Sequence, residues 1–440
     1  MGIMNRSLLL AFGGSCYLLG SIATISCGSD EPSSWHPAGG ASGGSSGASG
    51  TSGAAGETAS GGTGGTAGEA GGAGNAGQAG SSGEGGSAGS GGGIGDIWVN
   101  AYYAAWMQEA LPPNEIRFEA LSHVTHFAFV PNADGTLNTS ENGMSEQKSD
   151  AIVQAAHAAG KKVLISIGGA GSHEGFRQSI QAARRDTFVQ SILAEALSRG
   201  YDGIDIDMEP IEPGDVADFA AFVKALRAAA DSTSPGLLLT AAASSDASAF
   251  AQVQDQLDQI NIMTYDLSGT WEGWETWHNT PLFDGGLTFQ STGGPLPSCD
   301  GLATSWAAAG IDKSKLGIGI DFYGYVWHGA DGPNQSIAGV VVDSNVSYED
   351  IMSTYFSPSS YRWHDGVEAP YLSLGASGSA TAKFVSYDDE ESCTKKIEYV
   401  RGQGLGGVIL WELGGGYRSG EPAGQRDLLL QAVGAAAFPK

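Results

Sequence analysis

The residues best suited to chemistry lie in one run, Asp202-Gly203-Ile204-Asp205-Ile206-Asp207-Met208-Glu209. On a strand, successive side chains face opposite sides. Ile204, Ile206 and Met208 then pack against helices, while Asp205, Asp207 and Glu209 point together into the other face. Three carboxyl groups at ~7 Å intervals in an enclosed site cannot all ionise cheaply, so their pKa values spread apart. Such a spread leaves one proton donor and one charged stabiliser at neutral pH, which is what glycosidic bond cleavage needs. Two plainer readings stand beside this one, a metal-binding acidic strand and a stray acidic edge. An edge does not explain the Ile/Met face, and a metal site would draw in His or further oxygen ligands. Asp202 has the odd spacing from Asp205, so it points away from the row and is expected to be structural.

Those carboxylates need a rigid frame. Apolar strand-like runs fall at 99–104, 123–130, 162–169, 203–209, 237–243, 260–266, 316–323 and 407–412. Between them lie amphipathic stretches such as 150–159, 186–198 and 215–230, several opening on Asp or Ser and closing near Gly. Strand-then-helix units repeated this often predict an α/β fold, and eight is the count that closes a (β/α)8 TIM barrel. A doubly wound open sheet is the alternative. The barrel is favoured because the chemistry-bearing residues cluster at the C-terminal ends of several strands. Between Tyr325 and Val385 the rhythm fails for about 60 residues, which predicts a small inserted subdomain at 326–384.

The chain ahead of this frame has another composition. Of 69 glycines, 25 fall between residues 38 and 93, among Ser, Ala and Thr. Such a segment cannot bury enough apolar surface to offset its chain entropy, so 28–93 is expected to be a disordered linker. Its 66 residues give a reach of roughly 45 Å. Before it, Arg6 precedes Leu8-Leu9-Leu10 and a run from Tyr17 to Ile22, which reads as an export signal over 1–27. Thr24-Ile25-Ser26-Cys27 resembles a bacterial lipoprotein cleavage box, although Thr24 stands where Leu is usual. An exported cell-surface lipoprotein acylated at Cys27 is favoured over free secretion. Residues 94–440 then form the folded domain.

Net charge is −27, from 21 basic and 48 acidic residues, the wrong sign for tracking nucleic-acid phosphates or adhering to anionic lipid. Cys299 and Cys393 are the two cysteines left in the folded part, and export would permit them to pair. Neither has a Cys or His nearby at zinc-site spacing, so no metal is expected.

The motifs together resemble glycoside hydrolase family 18, the chitinases and their relatives. The run Asp202 to Glu209 fits the D-x-x-D-x-D-x-E signature at all four acidic positions. Ser166-Ile167-Gly168-Gly169, Met263-Thr264-Tyr265-Asp266 and Gly319-Ile320-Asp321-Phe322-Tyr323-Gly324 are similar to motifs on the third, sixth and seventh strands. Gly406 to Glu412 is similar to the last strand, with Trp411 as a floor. The resemblance runs from Val99 to about Leu413. It implies a substrate-assisted retaining mechanism, an exception to the two-carboxylate scheme. Glu209 would protonate the leaving oxygen, and the substrate's 2-acetamido oxygen would attack the anomeric carbon to give an oxazolinium ion. Asp207 would orient the acetamido group, Asp205 would sit behind it, and Tyr265 would bond the acetamido carbonyl with Asp266 beside it.

By motif position Tyr102, Phe129, Met263 and Tyr323 would line the pocket, for Tyr102 and Phe129 with barrel core as an equal reading. Trp271, Trp274 and Trp277 would build a cleft wall, and His123, His126 and His328 are given no role. Three departures from the family pattern stand out: Ala170 in place of a frequent Trp, Asp321 for the usual Pro, and Tyr325 for a frequent Arg. The expectation is a monomeric, cofactor-free, endo-acting chitinase cutting β-1,4 bonds between N-acetylglucosamine units. An endo-β-N-acetylglucosaminidase on glycoprotein glycans or peptidoglycan is the alternative enzyme, and a chitin-binding lectin the alternative of another class.

Overall fold

The computed structural model describes residues 97–439, so the export signal with Cys27 and the linker lie outside the described residues. Every apolar run becomes a strand. β1 (Trp98–Ala104), β2 (His123–Pro131), the short β3 (Leu137–Asn138), β4 (Lys162–Gly168), β5 (Gly203–Asp207), β6 (Leu238–Ala243) and β7 (Gln259–Ile262) come first. β8 (Leu316–Asp321) is followed by β9 (Tyr323–His328), β10 (Val341–Ser347), β11 (Tyr361–His364), β12 (Ala369–Leu374) and β13 (Lys383–Tyr387), and β14 (Gly407–Trp411) closes the series. β1, β2, β4, β5, β6, β7, β8 and β14 pair in parallel around a ring, which the β1–β14 and β1–β2 ladders shut. An open sheet is excluded.

The ring's outer face is apolar. Ile204, Ile206 and Met208 are buried with Phe219 and Phe222 of helix Val216–Thr233, and full burial of each such side chain contributes roughly 1.5–3 kcal/mol. Phe176, Phe188 and Phe222 pack as an aromatic triad at centroid distances of 5.1–5.7 Å. Gly203 lets β5 nest between its neighbours, since a Cβ there would fall 2.7 Å from Leu164 Cγ and 2.8 Å from the Leu238 oxygen. Asp389 and Ser392 form a capping box that starts helix Glu390–Gln403. Among the described residues no helix is long and apolar enough to cross a membrane.

The irregular stretch is an α+β insertion between β8 and helix Glu390–Gln403. β10-β9-β13-β12-β11 form an antiparallel sheet, with helix Tyr348–Thr354 between β10 and β11. It starts at Tyr323 and ends at Tyr387, slightly wider than 326–384.

The candidate Cys299–Cys393 disulfide is not formed, and both are buried free thiols. Cys299 Sγ donates to the Thr264 carbonyl at 3.6 Å. Burial pushes both thiols up, which suppresses the thiolate that a disulfide requires.

Candidate active site

Strand alternation aims Asp205 and Asp207 of β5 into the barrel, as the pattern predicts. Asp205 is fully buried; Tyr102 on β1 donates to its Oδ2 at 2.8 Å and Thr240 on β6 to its Oδ1 at 2.6 Å. Burial holds this carboxyl above its usual range. Asp207, 3% exposed, is raised well above that range by burial, then by the charges of Glu209 and Asp205. Glu209 is half-buried at the rim; burial raises it, Asp207 opposes part of that rise, and the Asp266 charge adds to it. Asp207 and Glu209 lie close enough for each to shift the other, so they titrate as a pair rather than as two separate acids.

Tyr265 follows β7 and faces this pair. Burial and the surrounding carboxylates raise its phenol well above the usual value, so it stays a hydrogen-bond donor. Its ring lies on Gly319 of β8, where a Cβ would fall 2.6 Å from two ring carbons. The preceding Thr264 fixes this turn, its Oγ1 donating to the Gly319 oxygen at 3.0 Å and accepting from the Gly319 nitrogen at 2.9 Å. Gly319→Ala should therefore displace Tyr265 and lower kcat on an N-acetylglucosamine oligosaccharide by roughly 10- to 100-fold. Circular dichroism should report an intact barrel, and unchanged kcat would show that the Tyr265 position is uncritical.

Asp266 takes the left-handed backbone, with φ 57°. Its Oδ1 accepts from Tyr323 at 2.6 Å and Tyr325 at 2.9 Å. Tyr325, at the position of the family's frequent Arg, thus serves this carboxylate as a neutral donor.

The floor is aromatic. Trp411 is half-buried, 5.4 Å from Tyr102 and 4.8 Å from Phe127 by ring centroids, with Met263 packed against the cluster. Phe129 is a correction: it lies in the outer core against Tyr201 and under Arg199, away from the pocket. The β2–β4 register shifts between His126 and Phe129, and the extra residue reverses which side Phe129 faces. Phe127 occupies the pocket instead. Trp106, 38% exposed, meets Phe127 edge-on at 5.7 Å and extends the floor.

The tryptophan loop divides. Trp277 is buried and donates to the Pro297 oxygen at 2.9 Å, whereas Trp271 is 44% exposed and edge-on to Trp274 at 4.5 Å. Asp202 lies outside the row, bonded to His157 at 2.8 Å and the Val163 nitrogen at 2.9 Å, as its spacing predicts. His126 is buried between Gln108 and Tyr201, and His328 contacts Asp343. One rival acid is present: burial pushes Glu412 up to about 7. Its oxygens are occupied by the Gly414 and Gly415 nitrogens at 3.0 and 2.7 Å, so it clasps the loop after β14. Sequence reasoning missed Phe127, Trp106, Thr240 and Asn279. For Trp106 a signal existed, an indole just past the first strand.

Acids in a row at the C-terminal mouth of a closed eight-stranded barrel meet a facing phenol and an indole floor in one cleft. The sequence model of glycosyl hydrolases family 18 matches residues 99–416, and the chain belongs to that family. Chitinase A1 of Niallia circulans is 29% identical over 289 residues, which cover 58% of this chain and 40% of that protein. Chitinase B of Serratia marcescens is 28% identical over 348 residues, 63% of this chain and 69% of that one. The chain therefore spans less than half the length of the Niallia protein. Among solved structures, the Group IV chitinase of Ostrinia furnacalis in complex with allosamidin has a TM-score of 0.65 at 25% identity, covering 77% of this chain and 98% of that chain. Human YKL-39, described as a pseudo-chitinase with retained chitooligosaccharide binding, shares the fold with a TM-score of 0.63 at 21% identity, over 77% and 99% of the two chains.

Proposed function

We propose that the chain is a retaining chitinase that cleaves β-1,4 bonds between N-acetylglucosamine units within a chitin chain. The observation that carries this reading is the Asp205–Asp207–Glu209 row with Tyr265 facing its outer two members. Glu209 at the rim gives its proton to the leaving glycosidic oxygen. The acetamido oxygen attacks the anomeric carbon as the glycosidic bond breaks, closing an oxazolinium ring. Asp207 accepts from the acetamido N–H and offsets the ring's positive charge, and Tyr265 donates to the acetamido oxygen. Glu209, now ionised, takes a proton from water, which opens the ring with retained configuration. Trp411 and Trp106 offer apolar surface to the sugar rings, with Phe127 buried and edge-on to both. Asp266 and Tyr323 border the same pocket.

The insertion sheet beside the cleft and the exposed Trp271 favour a linear polymer over a branched glycan. The domain acts as a monomer at the end of the linker, exported and held at the cell surface through acylated Cys27. Colloidal chitin, a high-mannose glycoprotein and peptidoglycan, digested side by side, test the substrate. Soluble N-acetylglucosamine oligomers of several lengths, first released as the β-anomer, are expected from chitin. Predominant release of N-glycans would overturn the assignment.

A further inference from the structure

We propose that Asp321 is a positioning residue for this reaction, acting through the Asn279 side chain to hold Asp266 and with it the Tyr323 and Tyr325 hydroxyls. The inference rests on the chitinase reading and concerns a residue at which this chain departs from the family pattern.

Asp321 ends β8, fully buried and facing the barrel interior. Asn279 Nδ2 donates to Asp321 Oδ2, and Asn279 Oδ1 accepts from the Asp266 nitrogen at 3.1 Å. The Asn279 main chain is fixed as well: its nitrogen donates to Ser386 Oγ at 2.7 Å, and its oxygen accepts from the Leu267 nitrogen at 3.0 Å. An amide can sit either way round, and its partners decide which. Asp321 offers only acceptor capacity toward Nδ2, so it locks the amide with its oxygen toward Asp266. Without Asp321 the amide keeps only the Asp266 N–H to orient it, and the bond that supports the left-handed turn at Asp266 loosens.

Behind Asp321 the charges balance. Asp388 and Lys396 are buried and paired, and Lys396 also donates to Thr280 Oγ1 at 2.7 Å. Thr280 Oγ1 in turn donates to the Thr264 oxygen at 2.8 Å, so both sides of Tyr265 are tied to one network. Asp321 Oδ1 and Asp388 Oδ1 are buried with no hydrogen-bond partner. Burial, then the Asp388 charge, raises the Asp321 carboxyl, and Lys396 balances Asp388 directly through their ion pair. Protonated Asp321 is a near-isostere of Asn: one oxygen accepts from Asn279, and the other carries the proton.

The test compares Asp321→Leu, Asp321→Asn and Asn279→Ala with wild type by steady-state kinetics on chitotetraose and by crystallography. Asp321→Leu and Asn279→Ala should each lower kcat by roughly 10- to 100-fold with KM within about threefold. The double variant should be no worse than either single one, because both cut the same link. Asp321→Asn should keep kcat within about twofold. In the Asp321→Leu crystal structure, Asp266 should leave the left-handed region and release both tyrosine hydroxyls. Wild-type kcat in Asp321→Leu, a fall in Asp321→Asn as deep as in Asp321→Leu, or fully additive losses would each overturn the proposal. An unmoved Asp266 in crystals would overturn it too, and that measurement holds even if wild type cleaves no chitotetraose, a result that would sink only the chitinase reading. Should Asp321→Leu fail to fold, Asn279→Ala and Asp321→Asn carry the same comparison.

Discussion

Glu209→Gln should cut hydrolysis by about 10³- to 10⁴-fold while leaving oligosaccharide binding within a few-fold of wild type. The amide keeps the shape of the acid and its contact with Asp207 but has no proton to give the leaving oxygen. Binding survives because the apolar platforms, Trp411 and Trp106, are untouched. Turnover of a fluorogenic chitobioside and calorimetry with chitotetraose read the two quantities separately. A loss below tenfold would mean that the proton comes from elsewhere. Glu412 is the one neighbouring acid with a pKa pushed to about 7, but its oxygens are taken by the Gly414 and Gly415 nitrogens. If wild type binds chitotetraose and releases nothing, the protein is a lectin on this scaffold.

Asp207→Asn carries the second large effect, a fall in kcat of about 10²- to 10³-fold with a displaced pH profile. In the proposed mechanism Asp207 supplies the charge that offsets the oxazolinium ion, and a neutral amide does not. The pH shift has a definite sign. Removing the last proton from the Asp207–Glu209 pair puts two negative charges side by side, which raises the pKa of that step. With Asn at 207, Glu209 ionises without that repulsion, so the alkaline limb of kcat/KM moves to lower pH. The wild-type limb should lie above the ordinary carboxylate range, because burial and the neighbouring charge act in the same direction. An alkaline limb that stays in place would mean that Glu209 does not feel Asp207.

The barrel could be read from the sequence because its signals are local. Alternation along 203–209 decides which way Asp205, Asp207 and Ile206 point, and no distant residue can reverse it while the strand stays regular. Phe129 shows the limit of that logic: Phe127 and Phe129 would share a face on a regular strand, and one extra residue in β2 sends Phe129 to the other side. The three tryptophans after β7 looked equivalent for a similar reason. Burial of Trp277 depends on the Pro297 carbonyl and on Val367 from the insertion, both remote in sequence. Cys299 and Cys393 could be paired on paper because sequence carries no distance. Asp321 was visible as a departure, but its partners Asn279 and Asp388 come from segments on either side of the insertion.

The insertion sheet grows directly out of the candidate active site. Its first strand, β9, begins at Tyr323 and carries Tyr325, the two residues that clasp Asp266, and its last strand, β13, pairs with β9 along that same stretch. For protein engineering this forbids a simple cassette exchange. A graft cut at the insertion's natural ends would carry the donor's residues into the pocket and disturb catalysis along with substrate reach. Cuts placed between Gly329 and Ala382, beyond the β9–β13 ladder, would leave both tyrosines native and let the outer sheet be varied on its own.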